Sequence, residues 1–276
     1  MPALPSSIID PLWRQFSALI PPVIITHPLG CHRARIADRI IVDKLIAVLV
    51  LGVSYIKISD STCSATTIRT RRDEWITAGI FKNLEQICLE SYDRFIGLDL
   101  ENLNVDGCIV KAPCGGEVAG RFPVDREKGT KRSLMVDGHG IPIGCVVAGA
   151  NRHDLPLLAA TLDTLGRFGG SLPDQITVHL DAGYDSKKTR RLLSEFYYSW
   201  VISIKGEPLQ AGTRWVVERT NSWHNRGFKK LSICTERCTR VVEAFIALAN
   251  AVIILRRLIK QAWTSYRWDT RPGHRP

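Results

Sequence analysis

The chain has 276 residues, of which 45% are hydrophobic and 23% are charged, and this composition excludes a disordered segment. Lys and Arg number 37 against 27 Asp and Glu, so the formal net charge is +10. A surplus of that size indicates a polyanionic partner such as nucleic acid, although a protein that is merely basic has the same charge.

The sequence is not typical of a membrane or secreted protein. The apolar runs at 45–53 and 241–255 are too short or too interrupted to cross a bilayer. The N-terminus lacks the basic and apolar regions of a signal peptide, so the eight Cys are expected to be reduced thiols in a cytosolic protein. Cys234 and Cys238 have no second close pair, and no zinc site is predicted.

The first hundred residues are predicted to be helical. A helix is expected to start with Asp10 as its N-cap and Pro11 at its first position, and to end at Ile20. A second, apolar helix is predicted over 36–51, and a later one over 84–95. Residues 97–102 are typical of a linker, so a first structural unit is predicted over 1–98.

Residues 59–84 are typical of a helix-turn-helix. The turn is predicted at 60–64 and the second helix at 65–78. That helix is expected to place its basic side chains on a polar side, and these are Arg69, Arg71 and Arg72. The polar side is interpreted as a surface that contacts DNA phosphates, and a solvated helix face is the alternative.

From residue 103 onwards the pattern changes to strands and helices. Strands are predicted at 103–110, 133–137, 141–148, 175–180 and 200–204. The second and third form a hairpin over the Asp-Gly pair at 137 and 138. Helices are predicted at 151–165, at 186–196, around Glu218 and at 237–260. The predicted order is three strands, helix, strand, helix, strand and helix.

Acidic residues at unusual positions mark the candidate site. Asp106 lies inside an apolar strand, where a carboxylate is costly unless it is paired or binds a metal ion. Asp181 ends another apolar strand, although it also suits a turn. Glu218 is a lone acid in a basic helix, where an ion pair with Arg214 is the alternative. Asp137, Asp154 and Asp185 are interpreted instead as turn or cap residues.

Four stretches resemble those of bacterial insertion-sequence transposases of the D-D-E type, in the group numbered five. They are VDG at 105–107, GANRHD at 149–154, DAGYDS at 181–186 and WVVERT at 215–220. The resemblance implies an α/β fold, a ribonuclease H-like mixed sheet flanked by helices and preceded by a small helix-turn-helix-like unit. Residues 1–98 are then expected to bind DNA ends, 99–263 to form the catalytic domain and 264–276 to be a flexible basic tail.

The same resemblance implies metal-dependent cleavage and strand transfer at the ends of an insertion sequence. Asp106, Asp181 and Glu218 are implied as catalytic residues and as ligands of two Mg²⁺ or Mn²⁺ ions, hard cations that prefer oxygen ligands. The expected DNA-binding residues are Arg69, Arg71, Arg72, Lys111, Arg214, Arg219, Arg226, Lys229 and Lys230. The expected partners are double-stranded DNA, as terminal inverted repeats and target, and further copies of the chain, with no membrane. The expected location is the bacterial cytoplasm, in association with the nucleoid.

The sequence departs from the wider family near Glu218. The family has a Tyr at the position of Ala211 and a base at that of Asn225, and Arg226 is the predicted substitute for that base. Two other functions therefore stay open. One is a DNA-binding relic or repressor that has lost strand transfer, and the other is a ribonuclease H-like nuclease acting on other nucleic acids.

Overall fold

The structure is a computed structural model that describes residues 3–22, 35–122, 127–204 and 215–265. Its helices in chain order are α1 (Ser6–Leu19), α2 (Asp38–Leu51), α3 (Tyr55–Ile58), α4 (Ala65–Thr77), α5 (Ile80–Phe95), α6 (Asp154–Asp163), α7 (Lys187–Glu195), α8 (Trp215–Gly227), α9 (Lys229–Ser232) and α10 (Thr239–Ser265). Its strands are β1 (Asn102–Lys111), β2 (Gly120–Arg121), β3 (Lys128–Val136), β4 (Pro142–Gly149), β5 (Thr177–Leu180) and β6 (Ser199–Ile202).

These strands form one mixed sheet with β1 at its centre. β3 pairs with β1 and β4 in antiparallel fashion, and the short β2 also joins β3. On the other side of β1, β5 runs parallel to both β1 and β6. Apart from the short β2, which the sequence did not predict, strands and helices follow one another in the predicted order, and the expected mixed sheet flanked by helices is confirmed.

Different helices pack on the two faces of the sheet. Val105 and Met135 belong to one buried cluster with Leu158 and Leu162 of α6, so α6 covers that face. Leu134 and Val136 of β3 pack against Val216 and Val217 of α8 on the opposite face. Because successive strand residues point to opposite faces, Val105 faces α6 and its neighbour Asp106 faces α8.

The helices of the first unit share a third buried cluster with α10. Phe16 of α1 packs edge-on against Trp75 of α4 at 4.9 Å and against Phe81 of α5 at 5.7 Å between ring centres. The same cluster includes Leu45 of α2 and Leu248 of α10. No described helix, α10 included, is long and apolar enough to cross a membrane. The division at residue 98 stays a prediction.

Several element boundaries differ from the predicted ones, and two of them have a clear physical reason. α1 begins at Ser6 rather than at Asp10, and Pro11 lies inside it, because the buried residues Ile8 and Ile9 extend its apolar side by a turn. β3 begins at Lys128, five positions before the predicted Ser133, because the antiparallel pairing with β1 continues as far as Gly129 opposite Lys111. The first half of β3 contains charged residues, so a prediction based on runs of apolar residues did not include it.

A chain of buried polar side chains connects α8 to α10 and α5. Because the Asn250 amide oxygen can only accept, His224 donates to it through Nε2 at 2.7 Å. The Asn250 amide then donates to Glu85 Oε1 at 2.7 Å, and Glu85 lies 3.4 Å from the Arg167 guanidinium. Burial, followed by the positive charge of Arg132, lowers the pKa of His224 to about 3.

This arrangement makes the protein sensitive to acid through His224. In the unfolded chain the imidazole takes up a proton below its ordinary pKa of about 6.5, whereas in the folded chain it stays neutral down to about 3. The contribution of His224 to the unfolding free energy is therefore expected to fall as pH drops through that interval. Urea unfolding of the wild type and of His224→Gln at a series of pH values checks this. The difference between the two should shrink below pH 6.5, and parallel profiles would contradict it.

Candidate active site

Asp106 and Asp181 lie at the same level of neighbouring strands. β1 and β5 are parallel, with Asn104 opposite His179, and each aspartate follows two residues later in its own chain segment. Adjacent strands are about 4.8 Å apart, so both carboxylates emerge close together where β5 ends. Asp181 also accepts a hydrogen bond from the Ala182 amide, so its predicted role as a turn residue and its place at the site coexist.

Glu218 reaches this region because α8 crosses the sheet above Asp106. The Asn221 side-chain amide donates to Asp106 Oδ2 at 3.2 Å. Glu218 precedes Asn221 by three residues and therefore lies on the adjacent turn of the same side of α8. Its side chain is exposed, whereas Asp106 and Asp181 are half-buried. β1 therefore adjoins both β5, through the strand pairing, and α8, through the Asn221 hydrogen bond.

The donor set suits a hard divalent cation, because carboxylate oxygens are the ligands that Mg²⁺ and Mn²⁺ prefer. Within the ranges that the structure describes, no group of three or more His, Cys, Asp or Glu side chains converges closely enough to hold an ion. The backbone therefore brings the acids to one region, and their side chains are not closed around a common point.

Asp154 lies on the side of β1 that α6 covers, and it does not serve as the predicted helix cap. His153 occupies the N-cap position of α6, and Asp154 forms an ion pair with Lys131 Nζ at 2.9 Å. A Cβ atom at Gly107 would approach Asp154 Oδ1 to 2.8 Å, so a larger residue there would displace this ion pair. That constraint is not visible in the sequence, because the residues are distant along the chain.

Negative charge is concentrated at this end of β5. Burial, and after it the charges of Asp154, Asp106 and Asp181, raises the pKa of the Tyr184 hydroxyl. Tyr184 is 5% exposed and lies in the buried cluster beneath α6. The Tyr184 hydroxyl therefore stays protonated as a neutral neighbour of these carboxylates.

The β3–β4 hairpin fixes the first half of α8. Thr220 Oγ1 donates to the Gly140 carbonyl at 2.7 Å, and Arg219 Nη2 donates to the His139 carbonyl at 2.6 Å. Gly140 has a φ of +82°, and a Cβ atom there would come within 2.8 Å of the Arg219 guanidinium. Asp137 accepts from the His139 amide at 3.0 Å, which confirms it as a turn residue.

The second half of α8 is fixed by an arginine that the sequence did not reveal. Arg132 on β3 is 2% exposed and donates to the Asn225 side-chain oxygen and, at 3.3 Å, to the Leu231 carbonyl. Asn225 in turn donates to Cys108 Sγ at 3.4 Å. Among the described residues no carboxylate pairs with Arg132. Position 225, where the family has a base, thus holds the acceptor for a buried cation from the sheet.

Three of the predicted DNA-binding residues are buried, and their predicted exposure is wrong. Arg71, Arg72 and Lys230 are 4%, 7% and 7% exposed. Each forms an ion pair: Arg71 with Asp38, Arg72 with Asp73 and Lys230 with Glu236. A buried cation requires a nearby anion, and the acids that satisfy Arg71 and Lys230 lie on other elements or loops that the helical pattern did not include.

The other predicted DNA-binding residues have accessible positions where the structure describes them. Arg69 lies over the Tyr55 ring at 4.8 Å and is half-buried. Lys111 forms an exposed ion pair with Glu127 at 2.7 Å, and Lys229 is exposed. Arg219 and Arg226 line a cavity beside Glu218. Arg214 and Ala211 lie outside the described residues.

Comparison with known families places this geometry in context. The family described as Transposase DDE domain matches residues 105–208, a span that includes Asp106 and Asp181 and ends before Glu218. A protein of Burkholderia cepacia assigned as the transposase for insertion sequence element IS402 is 34% identical over 147 residues. That match covers 50% of this chain and 69% of the relative.

Solved structures show a looser similarity. The catalytic domain of Mos1 mariner transposase superimposes with a TM-score of 0.36 and 12% identity, over 67% of this chain and 91% of that one. The piggyBac transposase synaptic complex with hairpin DNA gives a TM-score of 0.47 and 12% identity, over 97% and 74%. The sequence match covers more than two thirds of the relative. The chain belongs to the DDE transposase family of insertion-sequence elements.

Proposed function

We propose that this transposase cleaves and joins DNA with Asp106, Asp181 and Glu218 as the ligands of two divalent metal ions. The observation that carries the proposal is the meeting of β1, β5 and α8, in which the strand register aligns the two aspartates and Asn221 ties α8 to Asp106. Oxygen-only ligands on three rigid elements suit Mg²⁺ or Mn²⁺.

Each residue has a distinct task in this proposal. Two bound ions would activate the attacking oxygen and stabilise the leaving oxygen of an in-line displacement at phosphorus. Asp106, which is central in the sheet, would hold the metal together with Asp181 and Glu218. Asn221 holds the Asp106 carboxylate in place by donating to one of its oxygens. Arg219 and Arg226, on the same helix as Glu218, are placed to receive the phosphate that is cut.

The DNA surface follows from the cations that the structure leaves accessible. Arg69, Lys111, Arg226 and Lys229 are candidates for phosphate contacts, and such contacts make binding weaken as salt concentration rises. We assign recognition of the terminal inverted repeats to residues 1–98, catalysis to 99–263 and a supporting role to the basic tail at 264–276. The active complex is proposed to contain several copies of the chain and to act at the bacterial nucleoid.

Metal dependence tests the triad. Cleavage of a plasmid that carries the element with its flanking DNA is expected with Mg²⁺ or Mn²⁺ and is expected to stop in EDTA. Asp106→Asn removes a ligand while it preserves shape, so it should slow cleavage by on the order of 100-fold or more and leave DNA binding unchanged. Asp163→Asn, at an exposed acid at the end of α6, is the matched control and should cleave like the wild type.

Cleavage by Asp106→Asn at the wild-type rate, or full activity in EDTA, would remove the triad from the mechanism. A wild-type chain that binds the element's ends but cuts no DNA under any metal condition would instead support the repressor or relic.

The buried arginines of α4 provide a second test. Arg71→Ala breaks an almost buried ion pair with Asp38 and is expected to lower the unfolding free energy by about 3 kcal/mol. Arg69→Ala removes a half-buried cation over an aromatic ring and should change the unfolding free energy by no more than about 1 kcal/mol. Chemical denaturation, with end binding measured in parallel, separates the two variants. If Arg71→Ala is as stable as the wild type but no longer binds the DNA ends, Arg71 contacts DNA and the prediction is wrong.

The pairing of Arg132 with Asn225 gives a third prediction. Asn225→Lys restores the base of the wider family, yet it places a second cation beside the buried Arg132 guanidinium. We expect the unfolding free energy to fall by about 2 kcal/mol or more. The double variant Arg132→Met with Asn225→Lys relieves the repulsion and should be more stable than Asn225→Lys alone. Equal stability of Asn225→Lys and the wild type would show that position 225 does not face Arg132.

A further inference from the structure

Arg132 on β3 is a buried cation whose hydrogen-bond partners in the described part of the chain are neutral. Its Nη1 donates to the Leu231 carbonyl at 3.3 Å, and its Nη2 donates to the Asn225 side-chain oxygen and, at 3.7 Å, to Cys108 Sγ. The third nitrogen, Nε, is fully buried and has no hydrogen-bond partner among the described residues. A charge in the protein interior is costly unless an opposite charge lies beside it, so the surroundings of Arg132 favour a bound anion.

The carboxylate of Glu236, which lies in the same region, is engaged by other groups. The Lys230 ammonium lies 2.6 Å from its Oε1, and the Tyr55 hydroxyl donates to the same oxygen at 3.1 Å. The Arg72 guanidinium lies 3.6 Å from its other oxygen. Both carboxylate oxygens therefore already face groups from other elements, and the charge of Arg132 is left to a different partner.

A cavity of about 20 Å³ lies beside Arg132, between β1, β3, α9 and α10. Lys230 and Glu236 also line this Arg132 cavity. The apolar part of its wall consists of Val110, Leu231, Val242, Phe245 and Ile246. A space of this size holds about one water-sized particle, so it excludes polyatomic anions such as sulfate and phosphate. A monatomic anion fits both the size of the cavity and the charge of its wall.

We propose that the Arg132 cavity binds one chloride ion, with Arg132 Nε as its hydrogen-bond donor. Two cations and one carboxylate line the cavity, so positive charge is in excess there even though Glu236 opposes an anion. Chloride spreads its charge over a larger radius than fluoride does, so it costs less free energy to remove from water. A water molecule accepts the same hydrogen bond but leaves the buried charge without compensation.

A chloride ion at this position stabilises the folded chain. In the unfolded chain the Arg132 guanidinium is in water and needs no counter-ion, so the ion binds the folded state alone. The same guanidinium connects β3 to Asn225 on α8 and to the Leu231 carbonyl on α9. The ion is therefore expected to act on the packing of α8 and α9 against the sheet, and it needs neither DNA nor a divalent metal ion to do so.

Urea unfolding of the full-length protein tests the proposal when chloride is exchanged for methanesulfonate at one fixed ionic strength. Methanesulfonate has the same charge but is too large for a cavity of about 20 Å³. The folding equilibrium constant of the wild type is expected to be about 10-fold larger in chloride, which corresponds to a chloride concentration about ten times the dissociation constant. Equal stability in the two anions would overturn the proposal.

Three variants assign the response to the Arg132 cavity. Arg132→Met removes the charge and should lose the difference between chloride and methanesulfonate, whatever its own stability. Arg190→Met, at an exposed arginine of α7, removes an equal charge elsewhere and should keep that difference. Val242→Ile adds a methyl group to the cavity wall while it keeps Arg132, and it should also lose the difference.

A chloride response that is the same in Arg132→Met and the wild type would overturn the proposal. If Arg132→Met does not fold, Val242→Ile decides in the same way. The position of the ion is checked by the anomalous scattering of bromide in crystals of the wild type grown with bromide in place of chloride. A bromide peak beside Arg132 Nε is expected, and a water molecule at that position would contradict the assignment.

Discussion

The hydrogen bond between Asn221 and Asp106 connects the two halves of the candidate site. A carboxylate on the interior of a sheet is costly without a partner, and the partner here belongs to a helix more than a hundred residues later in the chain. The same bond therefore limits how α8 can rotate or slide above β1. Since Glu218 lies one turn from Asn221, its position relative to the sheet is set by that constraint.

Other contacts reinforce this position at both ends of α8. The hairpin carbonyls hold Arg219 and Thr220, and the buried Arg132 holds Asn225. Behind the helix, His224 leads through Asn250 to Glu85 on α5. Each polar contact of this kind adds only modest net stability. Breaking one leaves a buried polar group without a hydrogen-bond partner, which costs more free energy than the contact contributes. Together they therefore specify one arrangement of the helix.

The sequence was sufficient for the strand order and for the alignment of Asp106 with Asp181, for identifiable reasons. Apolar runs mark β1 and β5, and the alternation of side chains along a strand distinguishes Asp106 from the buried Val105. The strings around Asp181 and Glu218 carried the family resemblance, and the register of β1 against β5 then aligned the two aspartates.

What the sequence could not predict depends on residues distant along the chain. Arg71 appears as a surface cation on a helical wheel, and only the packing of α2 against α4 brings Asp38 to it. A side chain at position 107 would displace the ion pair of Asp154 on α6, and Asn225 accepts a hydrogen bond from Arg132 on β3. Charged residues at the start of β3 hid its true length, because side chains such as Lys131 are buried by pairing with Asp154.

The late position of α8 in the chain has a consequence for protein synthesis. The hairpin and β1 leave the ribosome well before α8, so Leu134 and Val136 lack the cover of Val216 and Val217 until that helix has been made. A product that stops before residue 215 carries both aspartates but neither Glu218 nor the helix that encloses them. Such a fragment exposes apolar surface and lacks one of the three proposed metal ligands, so aggregation rather than DNA cleavage is the expected result of premature termination.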